Sequence, residues 1–141
     1  MELQGIRRKI VYVSFFELFA IAISTAGLAY FSDSSVGRAS VAAVVSSVIA
    51  VIWNLIYNTV FERWEARQVV RGRSWKRRMA HAAGFEAGLI LTLVPFFAWW
   101  LSISLWQAFV LDVGLIVFFL VYTFAFSWVF DRLFGLPASA R

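Results

Sequence analysis

The sequence predicts an all-α membrane protein of four transmembrane helices, laid out as two tandem hairpins inserted in parallel with both termini in the cytoplasm. Three observations predict it. Four apolar stretches, at residues 10–30, 39–61, 79–101 and 106–130, each reach the roughly 20 residues that cross a bilayer. Positive charge gathers on one side of these stretches, and the chain resembles itself at a constant offset of 69 residues. Composition agrees: 62% of residues are hydrophobic and 15% charged, whereas a soluble domain is under half apolar and about a quarter charged.

The first span follows Arg7, Arg8 and Lys9. This opening has the outline of a signal peptide, but the apolar run is long for one, carries Glu17 at its middle and has a counterpart later in the chain. Glu17 lies seven residues past Ile10, which at the helical rise is roughly 10 Å inside the cytoplasmic edge of a hydrocarbon core about 30 Å thick. An acidic side chain near mid-span costs about 2.5–3.5 kcal/mol on insertion scales, so it ordinarily faces the bundle and marks a path for ions, protons or substrates. The bland alternative is pairing with an arginine or snorkelling to the interface.

Residues 32–35 with Gly37 read as the first outer turn. The second span ends in W-N-x-x-Y-N-x-x-F-E, residues 53–62. Asn54, Asn58 and Glu62 recur every four residues as one stripe beside a second stripe of Trp53, Tyr57 and Phe61. Asn54 is as deep as Glu17 measured from the same membrane face, whereas Asn58, nearer the interface, suits interhelical hydrogen bonding.

Seven of the thirteen lysines and arginines lie in residues 63–78, three precede the first span, and Arg132 and Arg141 follow the fourth, leaving Arg38 alone on the other side. The positive-inside rule then fixes one orientation and argues against dual insertion. Because these charges cluster at span ends, they read as topology signals and contacts for lipid headgroups rather than as a nucleic-acid surface. Tryptophans at 64, 75, 99, 100 and 106 sit where indoles anchor at the interface.

In the third span His81 is two residues from the start, Glu86 repeats the situation of Glu17, and Pro95 interrupts the helix. A lone histidine makes no metal site, and local hydrogen bonding is its simplest role. A tight second outer turn, residues 102–105, leads into a fourth span with Asp112 near its outer end, read as a solvated helix-end carboxylate, and Tyr122, Thr123 and Asp131 towards the cytoplasm. There is no cysteine, and no nucleophile with a base, phosphate loop or metal-ligand spacing; neither an enzyme nor a cofactor or metal is expected.

The offset of 69 pairs Arg8 with Arg77, Phe16 with Phe85, Glu17 with Glu86, Trp53 with Tyr122, Asn54 with Thr123, Tyr57 with Phe126, Asn58 with Ser127, Glu62 with Asp131 and Arg63 with Arg132. A gapless offset across charged, aromatic and small polar classes indicates duplication, with units at residues 1–69 and 70–141 and a pseudo-two-fold axis along the membrane normal. Glu17, Glu86, Asn54 and Thr123 are then expected at one depth around a common cavity lined by Trp53, Tyr57, Phe85 and Tyr122. Two intramembrane carboxylates favour transport over a non-transporting assembly or lipid-interacting protein, which could pack through serine and threonine at lower cost. Four short helices enclose little volume, so a homodimer is the expected working unit.

At these residues the chain resembles the proteobacterial antimicrobial compound efflux family, the chlorhexidine efflux transporters built on a bacterial transmembrane pair domain. That family's first and third helices follow R-x-x-H-A-x-x-F-E, which Arg78, His81, Ala82, Phe85 and Glu86 match in full; the first copy keeps Phe16 and Glu17 but carries Lys9 and Tyr12. Its second-helix motif is met by Trp53, Asn54, Tyr57, Asn58 and Phe61, with Glu62 for aspartate, and its fourth, Y-T-x-x-Y-N-W-x-Y-D, by Tyr122, Thr123, Trp128 and Asp131, with Phe126, Ser127 and Phe130 departing. The resemblance implies energy-dependent export of chlorhexidine, acriflavine, quaternary biocides and short diamines from the bacterial cytoplasm across the inner membrane. It implies that Glu17 is linked to protonation, and that the departure at Tyr12 bears on the substrate range.

Overall fold

The computed structural model describes residues 2–70 and 72–140; Arg71 and Arg141, counted above among the cytoplasmic charges, lie outside them. Four long helices follow one another, α1 (Gly5–Ser32), α2 (Val36–Ala66), α3 (Trp75–Trp100) and α4 (Leu105–Phe134), and there is no strand among the described residues. All four are long and apolar enough to cross a membrane, so the predicted fold class is the observed one.

The helices run past the apolar stretches at their cytoplasmic ends. At 31 residues, α2 is about 46 Å long at the helical rise, more than the hydrocarbon needs. Its last turns therefore stand in the interface, where Arg63 lies in the final turn and suits the negative end of the helix dipole.

Both outer turns are built alike, and the 69-residue offset reaches into their backbone. Among the described residues, Asp33 and Ser102 are the two non-glycine residues with left-handed φ, 53° and 55°. Ser35 and Ser104 then cap α2 and α4, accepting from the backbone N–H of Arg38 and Gln107 and so satisfying one orphan donor of each first turn. Gly37 already lies within α2; the reversal is made by Asp33, within the expected residues 32–35, whose short polar side chain tolerates the left-handed region.

Each helix packs on its two chain neighbours, and α1 closes the ring on α4. The core lies in the outer half. Leu28 of α1, Ala39, Ala42 and Ala43 of α2, Leu93, Val94 and Phe97 of α3 and Ala108 of α4 form one buried cluster. Without a hydrophobic drive between helices in lipid, alanines matter because they let backbones approach closely. In the cytoplasmic half, side-chain contacts join α1 to α4 and α2 to α3. Arg8 pairs with Asp131 and Tyr12 with Ser127, while Tyr57 reaches the His81 carbonyl and His81 meets Asn58.

Candidate functional site

The duplication is visible bond by bond. Trp53 on α2 donates its indole N–H to the Phe85 carbonyl on α3 at 2.9 Å, and Tyr122 on α4, at the equivalent position, donates its hydroxyl to the Phe16 carbonyl on α1 at 2.9 Å. The polar ends of both rings are thus spent on the neighbouring helix. One turn nearer the cytoplasm, His81 Nε2 lies 2.8 Å from Asn58 Oδ1. Because the Asn58 amide N–H donates to the Asn54 carbonyl at 2.8 Å, Oδ1 is the acceptor, so Nε2 carries the proton. His81 also packs edge-on against Phe61 and beside Tyr57. Its contacts are thus local, within the α2–α3 seam.

The equivalent pair in the other seam is Tyr12 with Ser127, 2.7 Å between hydroxyl oxygens. Both residues depart from the motifs quoted above, and here they touch: the longer phenol reaches where histidine does not, and the shorter serine makes room. Phe126, a third departure, cannot repeat the bond that Tyr57 makes to His81, and packs edge-on against Tyr12 instead. Replacing Tyr12 by His, or Ser127 by Asn, is expected to lose a bond worth about 0.6–1.7 kcal/mol in a membrane, and the double variant to recover most of it. A thermal double-mutant cycle in detergent reads this directly; additive losses would show the two departures to be independent.

Glu17 is half-buried and accepts a hydrogen bond from Ser47 of α2 at 2.9 Å; its charge also bears on Tyr122. Glu86 is half-buried, and its Oε2 has no hydrogen-bond partner. Neither is in an ion pair among the described residues, where the bridges are Arg8 to Asp131 and Arg73 and Arg77 to Glu65. Pairing with arginine therefore does not account for either intramembrane carboxyl.

The four polar residues expected round one cavity are not all gathered by the chain. Asn54 and Thr123 are exposed at the surface of the isolated chain, and Asn54 accepts from the Asn58 amide within its own helix. Of the two helix-end acids, Asp131 holds Arg8. Glu62 is exposed, and Arg77, at the position equivalent to Arg8, turns to Glu65 instead. The symmetric acid–arginine latch thus survives in one seam and has moved by one turn in the other.

Sequence reasoning missed two features. Gly84 and Gly88 lie directly beneath the α2 rings: a Cβ on Gly84 would overlap the Tyr57 phenol, and one on Gly88 the Trp53 indole. The signal was present, since G-x-x-x-G in an apolar span is the pattern that lets helices approach. Asp112 is the second, and it corrects the reading of a solvated helix-end carboxylate. It is only 2% exposed, its Oδ2 has no partner, and it lies within electrostatic reach of Glu86.

With this geometry in view, comparison with known proteins is direct. The chlorhexidine efflux transporter family matches the chain twice, over residues 4–67 and 73–136. The chain belongs to that family. Among its relatives, the short-chain diamines transporter of Acinetobacter baylyi is 36% identical over 127 residues, 90% of this chain and 89% of that protein. The protein of the same name from Vibrio parahaemolyticus is 35% identical over 124 residues, 88% of each chain, and that from Acinetobacter baumannii is 31% identical over 131 residues, 90% and 88%. No solved structure matches. Family and relatives are transporters rather than enzymes, and with four spanning helices the chain is a multi-pass bacterial inner-membrane protein that moves small cationic compounds.

Proposed function

We propose that the chain exports small organic cations, namely biguanide and quaternary biocides, dyes and short diamines, in exchange for protons, with Glu17 as the carboxylate over which cation and proton compete. The observation that carries this reading is an intramembrane glutamate that, among the described residues, has no cationic side chain paired to it and accepts a hydrogen bond from a serine hydroxyl. Such a carboxyl needs a countercharge or a proton at that depth. An organic cation supplies the first and displaces the second; a proton arriving from the outer side reverses the exchange. Glu86 repeats the position in the other hairpin, and the faces of Trp53, Tyr57, Phe85 and Tyr122 are the aromatic surface on which a cation would rest. Asn54 and Thr123, polar and exposed, support association of two copies, whose contact would cover them and complete the cation layer. Arginines at the cytoplasmic helix ends suit anionic lipid headgroups.

A membrane assembly or lipid-interacting role without transport is the competing reading. The distinguishing measurement is proton release by purified protein in weak buffer on addition of chlorhexidine or 1,5-diaminopentane. Substrate-dependent release supports exchange. No release, with no gain of resistance to chlorhexidine or dequalinium and no diamine or dye efflux in a pump-deficient bacterium, would favour assembly.

A further inference from the structure

Shifted by 69 residues, Ser24, Gly27 and Gly114 correspond to Leu93, Phe96 and Val45. Small residues of the α1–α4 seam thus stand where the α2–α3 seam carries bulky apolar ones. Leu93 belongs to the buried outer cluster and Phe96 packs against it. In the other seam a cavity of about 330 Å³ remains between α1 and α4, with Ser24 and Gly27 on one wall and Gly114 on the other. A Cβ on either glycine would meet nothing within 4 Å. The outer ends differ likewise. Trp100 closes the α2–α3 seam: its indole donates to the Arg38 carbonyl at 2.9 Å, and the Arg38 guanidinium lies over its ring. At the equivalent positions Phe31 is 73% exposed, and the Gln107 side chain turns back to accept from the backbone N–H of Ser104.

The cavity has the character of a ligand site. Small-molecule pockets occupy roughly 300–1,000 Å³ and are mostly apolar with a few polar groups. This lining is apolar but for Ser24, which is 7% exposed and whose Oγ has no hydrogen-bond partner; a buried hydroxyl in that state asks for an explanation. The inner end is joined to the glutamate layer. Phe118, in the lining, stacks on Tyr122 with ring centroids 5.3 Å apart, and Tyr122 bonds the carbonyl of Phe16, the neighbour of Glu17. Ser24 is seven residues outward of Glu17, about 10 Å along one face of α1, since seven residues return a helix to within about 20°. Ile23 and Val110 of the lining are half-exposed, so the cavity opens on the lipid-facing surface of the bundle.

We propose that this cavity holds the apolar arm of an amphiphilic exported cation, whose charged head lies at the layer of Glu17 and whose alkyl or aryl tail runs outward between α1 and α4. The inference rests on the cation-export reading above and gives it a basis for substrate choice. A long-tailed quaternary cation uses layer and cavity; a short diamine uses the layer alone. The Ser24 hydroxyl can accept from an N–H of an arylated cation, a partner that Leu93 does not need. A phospholipid chain is the competing occupant. Its phosphate would call for a basic group at the outer rim, yet Arg38, the cation of the outer turns, is held over Trp100 in the other seam. The rim here carries the exposed Asp33, two residues past Phe31, and so suits a cation.

The test uses the full chain in proteoliposomes and two probes, decyltrimethylammonium and 1,5-diaminopentane, reading equilibrium binding and pH-gradient-driven transport of each. Gly27→Phe and Gly114→Val give the seam the residues of its counterpart, and Ala26→Phe adds bulk at an exposed neighbour as control. Both cavity variants are expected to weaken binding and transport of decyltrimethylammonium by about tenfold or more and to hold 1,5-diaminopentane within about threefold, since one methylene of misfit in an apolar pocket discriminates by about 10–200-fold. Ala26→Phe should match wild type for both probes. Equal loss of the two cations, or loss of neither, would overturn the cavity as a tail site, as would a wild type that binds the diamine but not decyltrimethylammonium. If the variants separate the two cations in binding but wild type ignores the pH gradient, proton exchange fails and the cavity stands. A wild type that binds neither cation overturns both. Should the cavity variants not fold, wild type decides through a quaternary ammonium carrying a diazirine at the end of a decyl tail. Label within residues 23–31 or 110–118 that excess chlorhexidine displaces supports the site; label elsewhere, or label that chlorhexidine leaves in place, overturns it.

Discussion

Glu17→Gln is expected to abolish transport and resistance while leaving the folded protein intact. The neutral amide has the shape of the protonated acid and can still meet the Ser47 hydroxyl, which is 2.9 Å from the carboxylate. Under the exchange proposed above, what disappears is the charge over which proton and cation compete. If binding a cation expels a proton from Glu17, wild-type affinity rises with pH, as linkage requires. The glutamine variant has no proton to expel, so its residual affinity is weak and flat with pH. Equilibrium titration with chlorhexidine across the pH range, beside a growth assay in a pump-deficient host, reads both effects. Wild-type affinity with an unchanged pH profile, or retained resistance, would remove Glu17 from the mechanism.

Gly88→Leu is expected to be the most destabilising change far from any charge. The Trp53 indole lies where a side chain on Gly88 would begin, and the ring is tied at its N–H to Phe85 one turn earlier on the same helix. The indole is rigid, so either that bond breaks or α2 and α3 separate. Overpacking of this kind costs about 1–3 kcal/mol, occasionally more, and a leucine sits at the top of that range. Gly27→Ala is the control: nothing lies within 4 Å of a Cβ there, and its melting temperature should match wild type. Gly88→Ala with Trp53→Tyr should recover much of the loss of Gly88→Ala alone, because the smaller phenol already serves at the equivalent position, as Tyr122. Thermal unfolding in detergent followed by tryptophan emission measures all four. An unperturbed Gly88→Leu would mean that the α2–α3 seam is not closed as described.

Spans, turns and duplication were legible in the chain because each has a one-dimensional signature. Hydropathy over about 20 residues reports a crossing, and an offset that keeps Glu17 over Glu86 and Trp53 over Tyr122 reports a repeat. Direction around each helix was not. Asn54 and Thr123 are exposed in the chain, which their spacing along the helix does not report, because which face is covered depends on how neighbouring helices lean. Asp112 shows the same limit: its distance from a helix start suggests water, but it is 2% exposed, with the fully buried Ala108 one turn outward on the same helix. The departures at Tyr12 and Ser127 were each visible in sequence, yet their compensation became legible only when α1 met α4.

The alanine-rich outer core has a mechanical consequence. Ala39, Ala42, Ala43 and Ala108 are at most 3% exposed, and a methyl group freezes no rotamers when two helices close on it. Parting the alanine contacts therefore releases no side-chain entropy, the part that comes from Leu28, Leu93, Val94 and Phe97 aside, and in lipid it uncovers surface that acyl chains can cover instead. The core behaves as a zipper of short teeth whose closed and open forms differ mainly in van der Waals contact.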